Sequence, residues 1–212
     1  MKAPSKVILA SSNKGKLAEL GQALLPLGST LIPQSELKIS DAIEDGLSFI
    51  ENALLKARHA SKASDMPALA DDSGLEVDVL DGAPGIYSAR FCEMRESPYA
   101  QARSDQNNVA ALLETLRDRN AFAHKPVTAH YQCVLCFVRH WDDPTPLLGI
   151  GSWSGEIIEE ASGSGGFGYD PIFYSAEDKL TAAQLSKEQK RERSHRTHAL
   201  NDLQQKWLAR YS

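Results

Sequence analysis

Apolar positions along the chain follow two periods, and the switches between them predict the elements. Val7, Ile8 and Leu9 run together, as in a strand buried on both faces, and predict a strand over residues 6–10. Leu17, Leu20 and Leu24 recur at helical spacing and predict a helix over 16–25, closed by Pro26. A second strand is expected over 30–32. Ile50, Leu54, Ala57 and Ser61 share one stripe and predict a helix over 47–64, begun by a capping box of Ser48 and Glu51. A short strand over 67–70 is expected to end at Asp71-Asp72-Ser73-Gly74, with another over 76–80. Residues 82–87 read as a turn-rich connection. A long helix over 98–118 points Val109, Leu112, Leu113 and Leu116 inward. Strands over 129–140 and 147–159 flank Asp142-Asp143-Pro144-Thr145-Pro146, the pattern of a hairpin. A glycine-rich loop over 162–170 leads to a short strand over 172–174. Ser186 and Gln189 form a capping box for a helix over 186–191. The last helix, over 196–210, carries Leu200, Leu203, Trp207 and Tyr211 on one stripe. Strands and helices interleave, so the expected fold is α/β with a mixed sheet. Neither a repeat nor a flexible linker interrupts residues 1–212, so one domain is expected.

Composition narrows the function classes. The 212 residues are 42 % hydrophobic and 24 % charged, an ordinary globular balance. The net charge of −5 does not suggest general binding to nucleic acid or to an acidic membrane surface. It leaves room for one local basic pocket for a small anion. No run reaches the ~18 apolar residues of a membrane helix. Val7-Ile8-Leu9-Ala10 is shorter than the ~7–15 residues of a signal-peptide core, so a cytoplasmic location is expected. Cys133 and Cys136 have half of a zinc or redox spacing. On a strand, however, residues three apart face opposite ways and could not share a metal.

Five segments could carry chemistry. Ser11-Ser12-Asn13-Lys14-Gly15-Lys16 is a polar loop that follows a buried strand and opens a helix. Its amides, the helix dipole and two lysines suit phosphate. It is not a Walker A loop, because Leu17 replaces the metal-binding hydroxyl. An ordinary N-cap with solvated lysines accounts for the same residues. Asp71 and Asp72 follow the apolar Ala68-Leu69-Ala70. Paired carboxylates there could hold Mg²⁺, or one could take a proton from water; an exposed Asp-Asp turn explains the pattern equally well. Asp41, Glu44 and Asp45 precede a helix, where acidic residues commonly just favour the dipole. Glu51 reads as a capping residue, and Lys56, beside the apolar stripe, as a solvated lysine.

Gly163, Gly165 and Gly168 match a dinucleotide fingerprint as a string. The segment lies late in the chain, and Tyr169-Asp170-Pro171 stands where a helix should open, so that reading fails. What remains is a glycine loop whose Phe167 could stack on a nucleobase or anchor the loop. Lys190, Ser194, His195 and Arg196 could read a carbonyl oxygen or a phosphate, or simply form a charged helix start.

Taken in order, these segments resemble the inosine triphosphate pyrophosphatase family. The matching strings are Leu9-Ala-Ser-Ser-Asn-Lys-Gly-Lys16, Glu44-Asp-Gly-Leu-Ser-Phe-Ile-Glu-Asn-Ala53 and Ala70-Asp-Asp-Ser-Gly-Leu75. They continue with Gly82-Ala-Pro-Gly-Ile-Tyr-Ser-Ala-Arg90, Gly165-Gly-Phe-Gly-Tyr-Asp-Pro171 and Ser194-His-Arg196. The resemblance implies a long mixed central sheet with flanking helices, two lobes and a substrate cleft between them. It implies hydrolysis of abnormal purine nucleoside triphosphates to the monophosphate and pyrophosphate, with Mg²⁺, in a homodimer. By motif, Ser11, Ser12, Asn13, Lys14, Gly15 and Lys16 would hold the phosphates. Glu44 and Asp72 would bind Mg²⁺, Asp72 would also accept the proton, and Ser73 would touch the substrate. Phe167, Gly168, Tyr169 and Asp170 would hold base and sugar, with Lys190, His195 and Arg196 completing the site. Ser11 stands where threonine is common, and Ile43 where many relatives carry another acidic residue. A triphosphatase with a different base preference, or a nucleotide-binding module without turnover, would use many of the same residues.

Overall fold

The computed structural model describes residues 2–11, 20–94, 102–123 and 126–212. The strands are β1 (Lys6–Leu9), β2 (Thr30–Pro33), β3 (Ala68–Val77), β4 (Val127–Val138), β5 (Leu147–Ile157), β6 (Phe173–Ser175) and β7 (Leu180–Thr181). They form one seven-stranded sheet in the order β2-β1-β3-β4-β5-β6-β7. β1 runs parallel to β2 and β3, while β6 is antiparallel to β5 and β7, so the sheet is mixed as the interleaved pattern implies. The helices are α1 (residues 20–24 as described), α2 (Phe49–Ser64), α3 (Asp105–Asp118), α4 (Lys187–Arg193) and α5 (His195–Tyr211).

The chain divides into two compact units. The first comprises residues 1–73, 133–151 and 196–212, and the second residues 74–132 and 152–195. In the first, alternate strand residues feed two separate cores. Val7, Leu9, Leu69, Cys133, Leu135 and Phe137 pack with Leu20, Leu24, Leu203 and Trp207 of α1 and α5. Ile8, Ala68, Ala70, Val134, Cys136 and Val138 pack with Ala53, Ala57 and Ala60 of α2. Cys133 and Cys136 therefore lie on opposite faces, as strand geometry requires. Burial pushes the Cys136 thiol up to about 12, so it behaves as a small apolar group. Gly149 of β5 lets α5 lie directly on the strand: a Cβ there would overlap the Ala199 carbonyl and stand 2.6 Å from Leu203 Cβ.

In the second unit, α3 buries Leu112, Leu113 and Leu116 against Leu75, Val77, Tyr131, Trp153, Tyr169 and Phe173. Ser104 caps α3 through the Asn107 N–H, so the helix starts later than its long apolar pattern suggested. The expected capping box at Ser186 and Gln189 is present. At α2 the scheme shifts by one residue. Ser48 Oγ accepts the Glu51 N–H, while the Glu51 carboxylate accepts the Leu47 N–H rather than that of Ser48.

One local expectation is corrected. Asp71–Gly74 is not a turn between two short strands; it lies inside the continuous strand β3, with Asp71 2 % and Asp72 8 % exposed. Turn propensity gives way because each carboxylate meets a cation from a distant part of the chain.

Candidate active site

Strand alternation sends the two aspartates to different faces. Asp71 and Ser73 share the parity of Leu69 and face α5, whereas Asp72 shares that of Ala70 and faces α2. The pair therefore does not form one crowded acidic spot. Asp72 Oδ1 accepts a hydrogen bond from Lys56 Nζ at 2.7 Å, and the same ammonium stands 3.4 Å from Glu44 Oε1. On the other face, Arg196 Nη2 lies 3.9 Å from Asp71 Oδ2 and 3.5 Å from Ser73 Oγ.

Local chain features set these positions. Lys56 sits one residue before the buried Ala57 on α2, and its side chain is 13 % exposed. It is an internal cation, not the solvated lysine expected beside an apolar stripe. Glu44 precedes a tight approach to α2, in which the Gly46 N–H donates to Asn52 Oδ1 at 2.9 Å. A Cβ on Gly46 would come within 2.7 Å of Glu51 Cβ. Glu51 caps α2, as the sequence suggested.

Burial raises the Asp72 pKa above the ordinary aspartate value, and the Lys56 charge beside it only partly offsets this. Burial alone would lower the Lys56 pKa, but the Asp72 carboxylate outweighs that and holds it above its ordinary value. Glu44 and Asp72 thus converge on one positive charge. Two carboxylates, with water and phosphate oxygens at the remaining positions, also suit Mg²⁺. Among the described residues no cluster of three or more His, Cys, Asp or Glu could hold a metal ion.

The second unit gathers another group. Asp170 is 2 % exposed. Its Oδ2 accepts the Phe167 N–H at 2.7 Å and a short hydrogen bond from Lys190 Nζ, and its Oδ1 accepts the Tyr131 hydroxyl at 3.2 Å. The Phe167 ring is 61 % exposed with the Lys190 ammonium 4.8 Å from its centroid, so it does not anchor the loop. Tyr169 does: it is buried and its hydroxyl donates to the Ser88 carbonyl at 2.9 Å. The Gly168 N–H donates to Asp105 Oδ2 at 2.7 Å. His195, 6 % exposed, stacks on Tyr131 with ring centroids 4.9 Å apart. Ser11 follows β1 and is half-buried; Ser12, Asn13, Lys14, Gly15 and Lys16 lie outside the described residues. Sequence reasoning missed Tyr131 because its only signal is inward parity on β4.

An open mixed α/β sheet, with matched carboxylates on one strand and an exposed aromatic ring on a glycine loop, is of the class that binds small ligands at the ends of its strands. Comparison with known proteins makes the class specific. The model of the Ham1 family matches residues 7–206, and the chain belongs to that family. It is 50 % identical over 195 residues to a dITP/XTP pyrophosphatase of Escherichia coli O157:H7, covering 92 % of this chain and 94 % of that one. It is 47 % identical to the dITP/XTP pyrophosphatase of Photobacterium profundum, covering 94 % and 96 %. A solved Ham1 protein from Coxiella burnetii superposes with a TM-score of 0.88 at 39 % identity, over 97 % of this chain and 100 % of that one. Nucleotide pyrophosphatases of this kind generally need a divalent metal. No helix among the described residues is long and apolar enough to cross a membrane.

Proposed function

We propose that the chain hydrolyses dITP, ITP and XTP between the α and β phosphates, giving the nucleoside monophosphate and pyrophosphate and so cleansing the nucleotide pool. The observation that carries this reading is the Glu44–Lys56–Asp72 group, in which Lys56 and Asp72 are largely buried against each other, on a chain half identical to a dITP/XTP pyrophosphatase. In this reading Asp72 takes the proton of the attacking water. Lys56 holds the carboxylate in place and offsets charge that develops on the phosphate. Glu44 and Asp72 would hold Mg²⁺, which would supply positive charge against the phosphate oxygens. Ser11, Ser12, Asn13, Lys14, Gly15 and Lys16 cradle the phosphates, and Ser73 contacts the substrate.

Phe167 stacks on the purine, with Gly168, Tyr169, Asp170 and Lys190 shaping the loop around base and sugar. His195 and Arg196 donate to the carbonyl that hypoxanthine and xanthine carry where adenine has an amino group. Adenine would turn donor against donor and leave buried groups unpaired, a mismatch able to discriminate by ~10⁴-fold. We further infer a homodimer working in the cytoplasm.

The test is a panel of dITP, XTP, dATP and a pyrimidine triphosphate, with MgCl₂ or with EDTA, read as pyrophosphate release. The reading expects turnover of the first two, dependent on the metal. Equal turnover of dATP, or tight binding with no turnover, would reject it.

A further inference from the structure

In the reading above, the base is held by Phe167, Asp170, Lys190 and His195. These come from a glycine loop, a seven-residue helix and the first residue of another helix. One side chain of the sheet touches the whole set, directly or at one remove. Tyr131 projects inward from β4 with Val127 and Ala129, and is 8 % exposed. Its ring packs on Phe173 at 4.5 Å and on Trp153 at 6.2 Å, both in the core. On the same ring lies the His195 imidazole, nearly parallel at 13°.

The hydroxyl does something that packing does not need. A phenylalanine would fill the same core space, yet Tyr131 places its O–H on Asp170 Oδ1 inside the protein. The other carboxylate oxygen is occupied by the Phe167 N–H and the Lys190 ammonium. The loop lies so close to this carboxylate that a Cβ on Gly166 would overlap it. Burial, reinforced by the Asp170 charge, holds the Tyr131 phenol well above its ordinary pKa, so it stays a donor throughout the working range.

We propose that Tyr131 is the positioning residue of the base site: its ring sets the plane of His195, and its hydroxyl fixes the carboxylate that holds Phe167 and Lys190. This assignment rests on the pyrophosphatase reading and adds a residue to it. The two halves of the side chain then have separable effects. The hydroxyl, acting through Asp170, governs how well any purine is held. The ring, acting through His195, governs which purine is preferred.

The experiment uses the full chain and two variants, Tyr131→Phe and Tyr131→Leu, with dITP and dATP as substrates and thermal midpoints for each protein. Tyr131→Phe is expected to raise KM for both substrates about tenfold, the effect of one lost hydrogen bond to a charged group, with kcat held within about twofold. Its dITP-to-dATP ratio stays at the wild-type value. Tyr131→Leu is expected to compress that ratio by about tenfold or more in addition, because the imidazole loses its stacking partner. A purely structural role would instead lower apparent kcat for both substrates together as the folded fraction fell. Wild-type KM in Tyr131→Phe, or an uncompressed ratio in folded Tyr131→Leu, overturns the assignment. If Tyr131→Leu does not fold, the KM of Tyr131→Phe decides alone. A wild-type protein releasing no pyrophosphate from dITP overturns the parent reading and this one with it. An active wild type with both variants unaltered overturns this one only.

Discussion

Replacing Lys56 with methionine removes one positive charge and keeps most of the stem's bulk. In the folded protein that charge lies 2.7 Å from Asp72, with the two side chains 13 % and 11 % exposed. Removing one partner of a buried pair leaves the other uncompensated and costs about 3–5 kcal/mol. Two features reduce the loss here. Glu44 is 35 % exposed and adds little, since screened pairs contribute at most about 1 kcal/mol. Asp72, whose pKa burial already raises, can take up a proton once the ammonium is gone. We therefore expect Lys56→Met to lose about 2–3 kcal/mol. At about 2–4 °C per kcal/mol for a chain of 212 residues, Tm should fall by about 4–12 °C. The assay is thermal or urea unfolding in EDTA of the wild type, Lys56→Met, Asp72→Asn and the double variant. Because both single changes break the same pair, the double variant should be more stable than their sum by about 2 kcal/mol. Additivity within about 0.5 kcal/mol would refute the claim that Lys56 is there to match Asp72.

Asp72→Asn should fold and lose at least about 10²-fold in kcat, as expected on removing a proton acceptor; near-normal steady-state turnover would remove Asp72 from that role. Asp143 is fully buried and accepts from the Arg139 N–H and guanidinium and from the Thr145 N–H. Those bonds, chiefly the one from the Arg139 side chain, hold its pKa well below the carboxylate range. Its contribution is therefore fully present above about pH 4 and is lost as pH falls through the native pKa, so acid unfolding of Asp143→Asn should be less steep than that of the wild type. Gly149→Val must push α5 off β5 and should cost at least about 2 kcal/mol in urea unfolding, with unchanged stability contradicting the close packing described.

Much of the fold was legible because it rests on local pattern. The unbroken run Val7-Ile8-Leu9 is a strand with neighbours on both faces, and the stripe through Leu54 and Ala57 is a helix. Strand parity was enough to separate Cys133 from Cys136. The failures share one physical cause. Asp71-Asp72-Ser73-Gly74 has the composition of a turn, and only cations from α2 and α5 make burial of those carboxylates tolerable. Lys56 was misjudged for the same reason, since its partners lie 12 and 16 positions away in the chain. β7, two residues long, is too short for any period to mark it. The motifs picked out Glu44, Asp72, Phe167 and Arg196 as candidates, whereas Tyr131, which donates to Asp170 and stacks on His195, looked like any inward aromatic residue.

The central claim is attack at the α-phosphorus of an abnormal purine triphosphate. It is tested most directly by hydrolysing dITP in ¹⁸O-labelled water with MgCl₂ and locating the label by mass spectrometry. The account predicts one labelled oxygen in deoxyinosine monophosphate and none in pyrophosphate. Label in the pyrophosphate, or orthophosphate as the first product, would contradict it.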